Sequence, residues 1–223
     1  PCYGIYPVHF KNIFISTHPT YPWCSMLSFI GGTGPEGLGL AARLAMAGEA
    51  VVIGSRSRDR ALEAAARVRE LVPDARVQGA ENLEAALSGD VVFLTVPFEA
   101  QVPVLNLLRD ALQGKILVDV INAIAFKDGV YTAIRVEEGS AAERAQKIAP
   151  GALVVSAVKN MSSERLLDIG RRIECDVLVC SDHEGPKRQV MALAEEIEGV
   201  RALDGGRLGN SRYLEDITVL LLD

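Results

Sequence analysis

From Met26 onward, short apolar runs alternate with segments whose apolar residues recur every three or four positions, the pattern of β-α-β units around a largely parallel sheet. Leu27–Ile30 predicts a first strand ended by glycines. Pro35–Ala47 predicts a helix, with Leu40 and Leu44 one turn apart and Gly48 placed to stop it. A second strand follows at Ala50–Ile53. The Ala-rich stretch Arg58–Leu71 sets Ala61, Ala65, Val68 and Leu71 on one helical stripe, and Pro73 halts it. A weak strand around Arg76–Gln78 and a short helix near Asn82–Leu87 come next. Val91–Val96 is almost continuously apolar, as a strand covered on both faces must be, so it belongs at the centre of the sheet. A helix from Glu99 to Leu112 then leads to a strand at Lys115–Val120.

The later part continues the alternation. Ser140-Ala141-Ala142-Glu143 reads as a capping box opening a helix that Pro150 closes. Ala152–Val158 and Asp176–Cys180 read as strands, and Pro186 suits the first position of a helix running to Glu198 with Val190, Leu193 and Ile197 inward. A last strand, Val200–Leu203, leads through Asp204-Gly205-Gly206 to a helix from Ser211. Residues 1–25 differ: they hold the single Trp and three of the five Tyr, with Lys11 as sole formal charge. Polar residues and prolines interrupt every apolar run there, unlike a signal peptide, and the stretch reads as an atypical extension upstream of Met26.

Composition narrows the class. Of 223 residues, 49% are hydrophobic and 23% charged, which calls for a buried core and excludes a disordered chain. The net charge of -6 argues against nucleic acid as the main partner, since that affinity rests on Lys and Arg neutralising phosphates. No apolar stretch approaches the roughly 20 residues of a membrane helix. Cys2, Cys24, Cys175 and Cys180 form no CxxC pair, and His9, His18 and His183 show no ligand spacing, so no metal is expected and the thiols suit a reducing cytoplasm.

The strongest chemical signal follows the first strand. Gly31 to Gly39 contains G-x-G-x-x-G as Gly32, Gly34 and Gly37, with Thr33 inside it, directly between an apolar strand and a helix. Glycines there permit a tight turn and let a pyrophosphate approach the backbone, and the helix N-terminus favours the anion. The pattern is that of a Rossmann-type dinucleotide site. At the end of the second strand NAD-binding proteins usually carry an acid for the ribose, but this chain has Gly54-Ser55-Arg56-Ser57-Arg58-Asp59-Arg60. A hydroxyl and several guanidinium groups suit a 2′-phosphate, so NADP is expected over NAD.

These segments, with Leu94-Thr95-Val96-Pro97-Phe98, Val136 to Glu143, Asp176 to Asp182 and Gly209-Asn210-Ser211-Arg212, resemble the NADPH-dependent reductases of the deazaflavin coenzyme F420. The resemblance covers nearly everything from Met26 to Asp223. It implies hydride transfer between NADP(H) and coenzyme F420. A cytoplasmic homo-oligomer with no nucleic-acid or membrane partner is expected. The implied fold is α/β, a Rossmann-type doubly wound, mostly parallel sheet, with residues 26–150 binding NADP and a small C-terminal α/β part, 151–223, covering the deazaflavin.

Residue by residue, the resemblance places NADP contacts on Gly32, Thr33, Gly34, Gly37, Ser55, Arg56 and Arg60, with Val96 and Pro97 toward the nicotinamide. It places deazaflavin contacts on Leu208, Gly209, Asn210 and Lys159, the last standing where the family carries an imidazole. Hydride transfer between two ring cofactors asks mainly for positioning, because the rings supply the reactivity, so no acid–base residue is expected and Lys159 stands as an electrostatic aid. Two alternatives remain open at this level: an NADPH-dependent reductase of another small substrate, and a Rossmann module that binds NADP without turnover.

Overall fold

The computed structural model describes residues 26–222; the extension 1–25 lies outside the described residues. The first half runs β1 (Leu27–Ile30), α1 (Pro35–Met46), β2 (Val51–Ser55), α2 (Arg58–Leu71), β3 (Val77–Glu81), α3 (Asn82–Ser88), β4 (Val91–Leu94), α4 (Gln101–Leu108) and β5 (Ile116–Asp119). A hairpin, β6 (Ile124–Lys127) and β7 (Val130–Ala133), precedes α5 (Ala141–Ile148) and β8 (Leu153–Ser156). The chain closes with α6 (Ser163–Leu167), β9 (Cys175–Cys180), α7 (Glu184–Glu195), β10 (Val200–Gly206) and α8 (Ser211–Leu222).

Eight strands form one sheet in the order β10-β9-β8-β5-β4-β1-β2-β3. Every neighbouring pair is parallel except β8 with β9, joined antiparallel at Ser156 and Cys180. Residues 151–222 thus extend the same sheet through β8, β9 and β10. The period-2 alternation of side chains divides the core. Leu27, Phe29, Val51, Ile53 and Phe93 face α1, α2 and α7, whereas Ile30, Val52, Val92 and Leu94 face α3, α4 and α5. Phe29 and Phe93 stack on the first face, ring centroids 4.7 Å apart. Central β1 and β4 are buried throughout, as their unbroken apolar runs require.

Several boundaries differ from the expectation for physical reasons. The central strand ends at Leu94, two residues short of the expected Val96; the Thr95 N–H still donates to the Ile30 carbonyl, which the Thr95 hydroxyl also reaches at 2.9 Å. The strand expected at Ala152–Val158 ends at Ser156, and Val158 adopts a left-handed φ of 62°. Helix α7 starts at Glu184, so Pro186 is its third residue. The β6–β7 hairpin was not expected; Asp128 and Gly129, both at positive φ, make its two-residue turn. The capping box forms as expected: the Ser140 hydroxyl accepts from the Glu143 N–H at 3.1 Å.

Arg43 is an unexpected core residue. It sits on α1, 2% exposed, and its guanidinium donates to the carbonyls of Arg165, Leu166, Asp168 and Arg171. It thereby pins the segment around α6 against α1. At Gly39 a Cβ would lie 2.6 Å from the Leu166 Cβ, so the two helices meet backbone to backbone. Arg43→Ala leaves these buried acceptors unpaired and is expected to cost about 3 kcal/mol, read as a lower urea midpoint at unchanged slope.

Candidate functional site

The carboxyl ends of β1, β2, β4, β5 and β8 open into one cleft of about 1030 Å³. That is where ligands sit in open parallel sheets. The three motif glycines have three different surroundings. A Cβ on Gly32 would press on Phe29, 2.8 Å from both its Cβ and its carbonyl oxygen, so this glycine permits the turn. A Cβ on Gly37 would lie 2.5 Å from the Thr95 hydroxyl and 2.7 Å from the Gly32 Cα, so it permits the close packing of α1. A Cβ on Gly34 would meet nothing within 4 Å, and Gly34 lines the cleft. Space at Gly34 is therefore space for a ligand. No side chain caps α1 there, and Pro35 occupies its first position. Asn82 braces the turn, its side-chain oxygen accepting from the Gly31 N–H at 3.2 Å.

At one end of the cleft lie Ser55, Arg56 and Arg60. Arg58 is turned elsewhere, paired with Glu84 at 2.8 Å. Arg56 and Arg60 form no ion pair with a carboxylate among the described residues. Two cations directed into a cleft without a protein counter-ion make a receptor for a phosphate. Thr33, Val96 and Pro97 line the stretch between this corner and the far end. There the wall becomes apolar, with Ala100, Pro103 and Leu107 from the α4 region, Tyr131 from β7 and Leu222 from α8.

The floor is ionic. Lys159, whose side chain is 0% exposed, pairs with Asp119 at 2.7 Å and with Glu215 at 3.1 Å, and also donates to the Ile121 carbonyl. All three ammonium protons are thus committed within the protein. Burial works against the charge, yet the two carboxylates outweigh it and hold the ammonium above the usual lysine range. Asp119 accepts further from Gln101 at 2.8 Å, and both oxygens of Glu215 accept from the Ala141 N–H at 3.1 Å, at the start of α5. The Lys159 carbonyl accepts from Asn122 and Thr218. One residue therefore ties together the ends of β5, β8 and α8.

Of the residues singled out in the sequence, Thr33, Gly34, Ser55, Arg56, Arg60, Val96, Pro97 and Lys159 line the cleft, with Gly32 and Gly37 packed behind its turn. Leu208, Gly209 and Asn210 do not line it. They form a short 3-10 turn over α5 and β8, where Leu208 is buried and its N–H donates to Asp182. Sequence reasoning missed Glu36, Asp119, Asn122 and Glu215. Asp119 carries a legible signal, an acid inside the apolar run Ile116 to Ile121, which must find a buried partner.

The fold, with its glycine turn at the head of α1 and a cleft across the strand ends, defines a Rossmann-type NADP-dependent oxidoreductase. The family model described as "NADP oxidoreductase coenzyme F420-dependent" matches residues 26–123. The chain is 43% identical over 203 residues to the F420-dependent NADP reductase of Methanothermobacter marburgensis, covering 88% of this chain and 91% of that protein. It is 40% identical over 202 residues to the protein of the same name from Methanocaldococcus jannaschii, covering 88% and 90%. A crystal structure from Arthrobacter sp., described as an F420-dependent NADP-reductase, superposes with a TM-score of 0.73 at 26% identity, covering 89% of this chain and 91% of the other. The chain belongs to the coenzyme F420-dependent NADP oxidoreductase family.

Proposed function

We propose that the chain transfers a hydride between NADP(H) and the deazaflavin coenzyme F420. One observation carries the reading: a single cleft joins a two-arginine corner that no described carboxylate pairs with, an uncapped helix start beside an open glycine and an apolar far wall. In this reading Ser55, Arg56 and Arg60 hold the 2′-phosphate, while Gly32, Thr33, Gly34 and Gly37 shape the turn that receives the pyrophosphate. Val96 and Pro97 direct the nicotinamide toward the apolar wall. Lys159 acts beneath the site by holding its floor, and residues 151–222 contribute Met161, Ser162, Thr218 and Leu222 to the ring end. When bound, the two cofactors supply the two-electron chemistry; the protein orients them and excludes water.

Exposed Ile217, Leu220 and Leu221 on α8 support the expected homo-oligomer, and the free thiols of Cys175 and Cys180 suit a cytoplasmic setting. Among the described residues no helix is long and apolar enough to cross a membrane.

Mixing the protein with NADPH and oxidised F420 tests the reading, with loss of the deazaflavin absorbance as the expected result. Binding of NADPH without turnover would instead mark a non-catalytic module. Oxidation of NADPH by a small imine or carbonyl, with the deazaflavin unchanged, would mark a different reductase. Two of the motif glycines separate binding from packing. Gly34→Val is expected to weaken NADP by about tenfold at unchanged melting temperature, because it fills ligand space only. Gly37→Ala is expected to destabilise the fold by about 1–3 kcal/mol, because it forces α1 off Thr95. Calorimetric titration and thermal melts check both.

A further inference from the structure

Resting on the NADP reading above, we propose that Asn82 is a further specificity-determining residue of this cleft, its side-chain amide donating a hydrogen bond to the 2′-phosphate on the adenosine ribose. Asn82 opens α3 directly after β3 and lines the cleft. The β2–β3 register pairs Ser55 with Glu81, so Arg56 and Asn82 are the next residues beyond two neighbouring strands. Asn82 therefore stands beside the two-arginine corner.

Its side chain runs inward rather than out to solvent, and the residue is 5% exposed. A Cβ on Gly54 would lie 2.9 Å from its oxygen, so a glycine inside the buried strand β2 leaves room for the crossing. On the far side that oxygen accepts from the Gly31 N–H at 3.2 Å. The asparagine thus spans the gap between the glycine turn, proposed to receive the pyrophosphate, and the corner proposed to receive the 2′-phosphate. The adenosine ribose joins those two groups covalently, so in this reading it lies along the side chain of Asn82.

The bond to Gly31 fixes which end of the amide is which. A backbone N–H only donates, so the group facing it is the oxygen, and Nδ2 keeps its two protons for other partners. Nδ2 donates to no described residue, and it is not among the sealed, unpartnered polar atoms of the described residues, which are Asn122 Oδ1, Ser156 Oγ and Ser211 Oγ. A buried residue of the cleft lining therefore keeps one donor open to the cleft. Bracing the turn asks only for an acceptor, which an aspartate supplies equally. The amide adds a donor without negative charge, the combination that suits a phosphate beside Arg56 and Arg60. A carboxylate in this place would instead repel the 2′-phosphate and suit the free 2′-hydroxyl of NAD, as acids at the end of the second strand do in NAD-binding folds.

Calorimetric titration of Asn82→Ala and Asn82→Asp with NADP and NAD tests the assignment. The readout is the ratio of the two dissociation constants, because loss of the brace on the glycine turn in Asn82→Ala weakens both nucleotides alike. The preference for NADP should fall by about tenfold in Asn82→Ala, through loss of one donor to a charged oxygen, and by about 100-fold in Asn82→Asp, through added repulsion. A preference within about threefold of the parent's in Asn82→Ala overturns the proposal, even where Asn82→Asp lowers it, since that outcome shows repulsion without a donated bond. The side-chain amide signal of Asn82 in nitrogen-15 NMR, assigned by its loss in Asn82→Asp, should move further with saturating NADP than with saturating NAD, and equal displacement overturns the proposal as well. A parent protein that binds NAD as tightly as NADP overturns the 2′-phosphate reading and this proposal together. A parent that prefers NADP, with that preference unchanged in Asn82→Ala, leaves the reading standing and removes Asn82 from it.

Discussion

Arg56→Glu is expected to raise the dissociation constant for NADP by about a thousandfold while changing that for NAD by less than tenfold. Charge-assisted hydrogen bonds from a guanidinium are worth about 1.5–3 kcal/mol, and a carboxylate in the same place adds repulsion, for a total of about 4 kcal/mol. The selectivity follows from position, since Arg56 and Arg60 line the corner at the end of β2 and no described carboxylate competes for them. Arg58 is the control. It is neighbour to both in sequence but paired with Glu84, so Arg58→Glu should change NADP affinity less than threefold. Calorimetric titration of the three proteins with both nucleotides decides the matter, and equal losses for NADP and NAD in Arg56→Glu would contradict the 2′-phosphate assignment.

Lys159→Ala is expected to destabilise the protein by about 3–5 kcal/mol at pH 8, the usual cost of removing one member of a buried ionic group. Asp119 and Glu215 are then buried together with no cation between them. Glu215 is already raised above the usual carboxyl range, first by burial, with Lys159 pulling it down and Asp119 pushing it up. Removing Lys159 deletes the opposing influence, so the folded-state pKa of Glu215 rises further above its unfolded value. A group shifted this way binds protons more tightly when folded, and stability falls as pH rises through the interval between the two values. The defect of Lys159→Ala should therefore be larger at pH 8 than at pH 5. Adding Asp119→Asn should recover part of the loss at pH 8. Urea denaturation of the single and double variants at both pH values provides the measurement.

The order of strands and helices is legible because nearly every β-α-β unit carries both periods plainly. The unbroken run at Val91–Leu94 marks a central strand, and the glycine turn marks where the ligand cleft opens. The binding corner is legible for the same reason, since residues that follow parallel strands must gather at one edge of the sheet. Contacts between distant segments are not legible. The hairpin at residues 124–133 lies outside the main sheet and most of it is exposed, so no buried face writes a strong alternation into it, although Asp128-Gly129 is a recognisable turn. Arg43 reads as a polar position on a helix until α6 is known to end against it. Lys159 reads as a cation at a strand end, and only the arrival of Glu215 from α8 shows that its charge is spent inside the protein. Glu36 is concealed differently. An acid in a first helical turn is ordinary, and only its place on the cleft lining sets it apart.

Direct transfer between two cofactors held in one cleft is tested most sharply by isotope labelling. The protein is mixed in ordinary water with oxidised F420 and NADPH carrying deuterium at both C4 positions, and the reduced deazaflavin is analysed by mass spectrometry. One carbon-bound deuterium per molecule of reduced deazaflavin is the expected result. Reduced deazaflavin containing only solvent hydrogen on carbon, or no reduction at all, would contradict it.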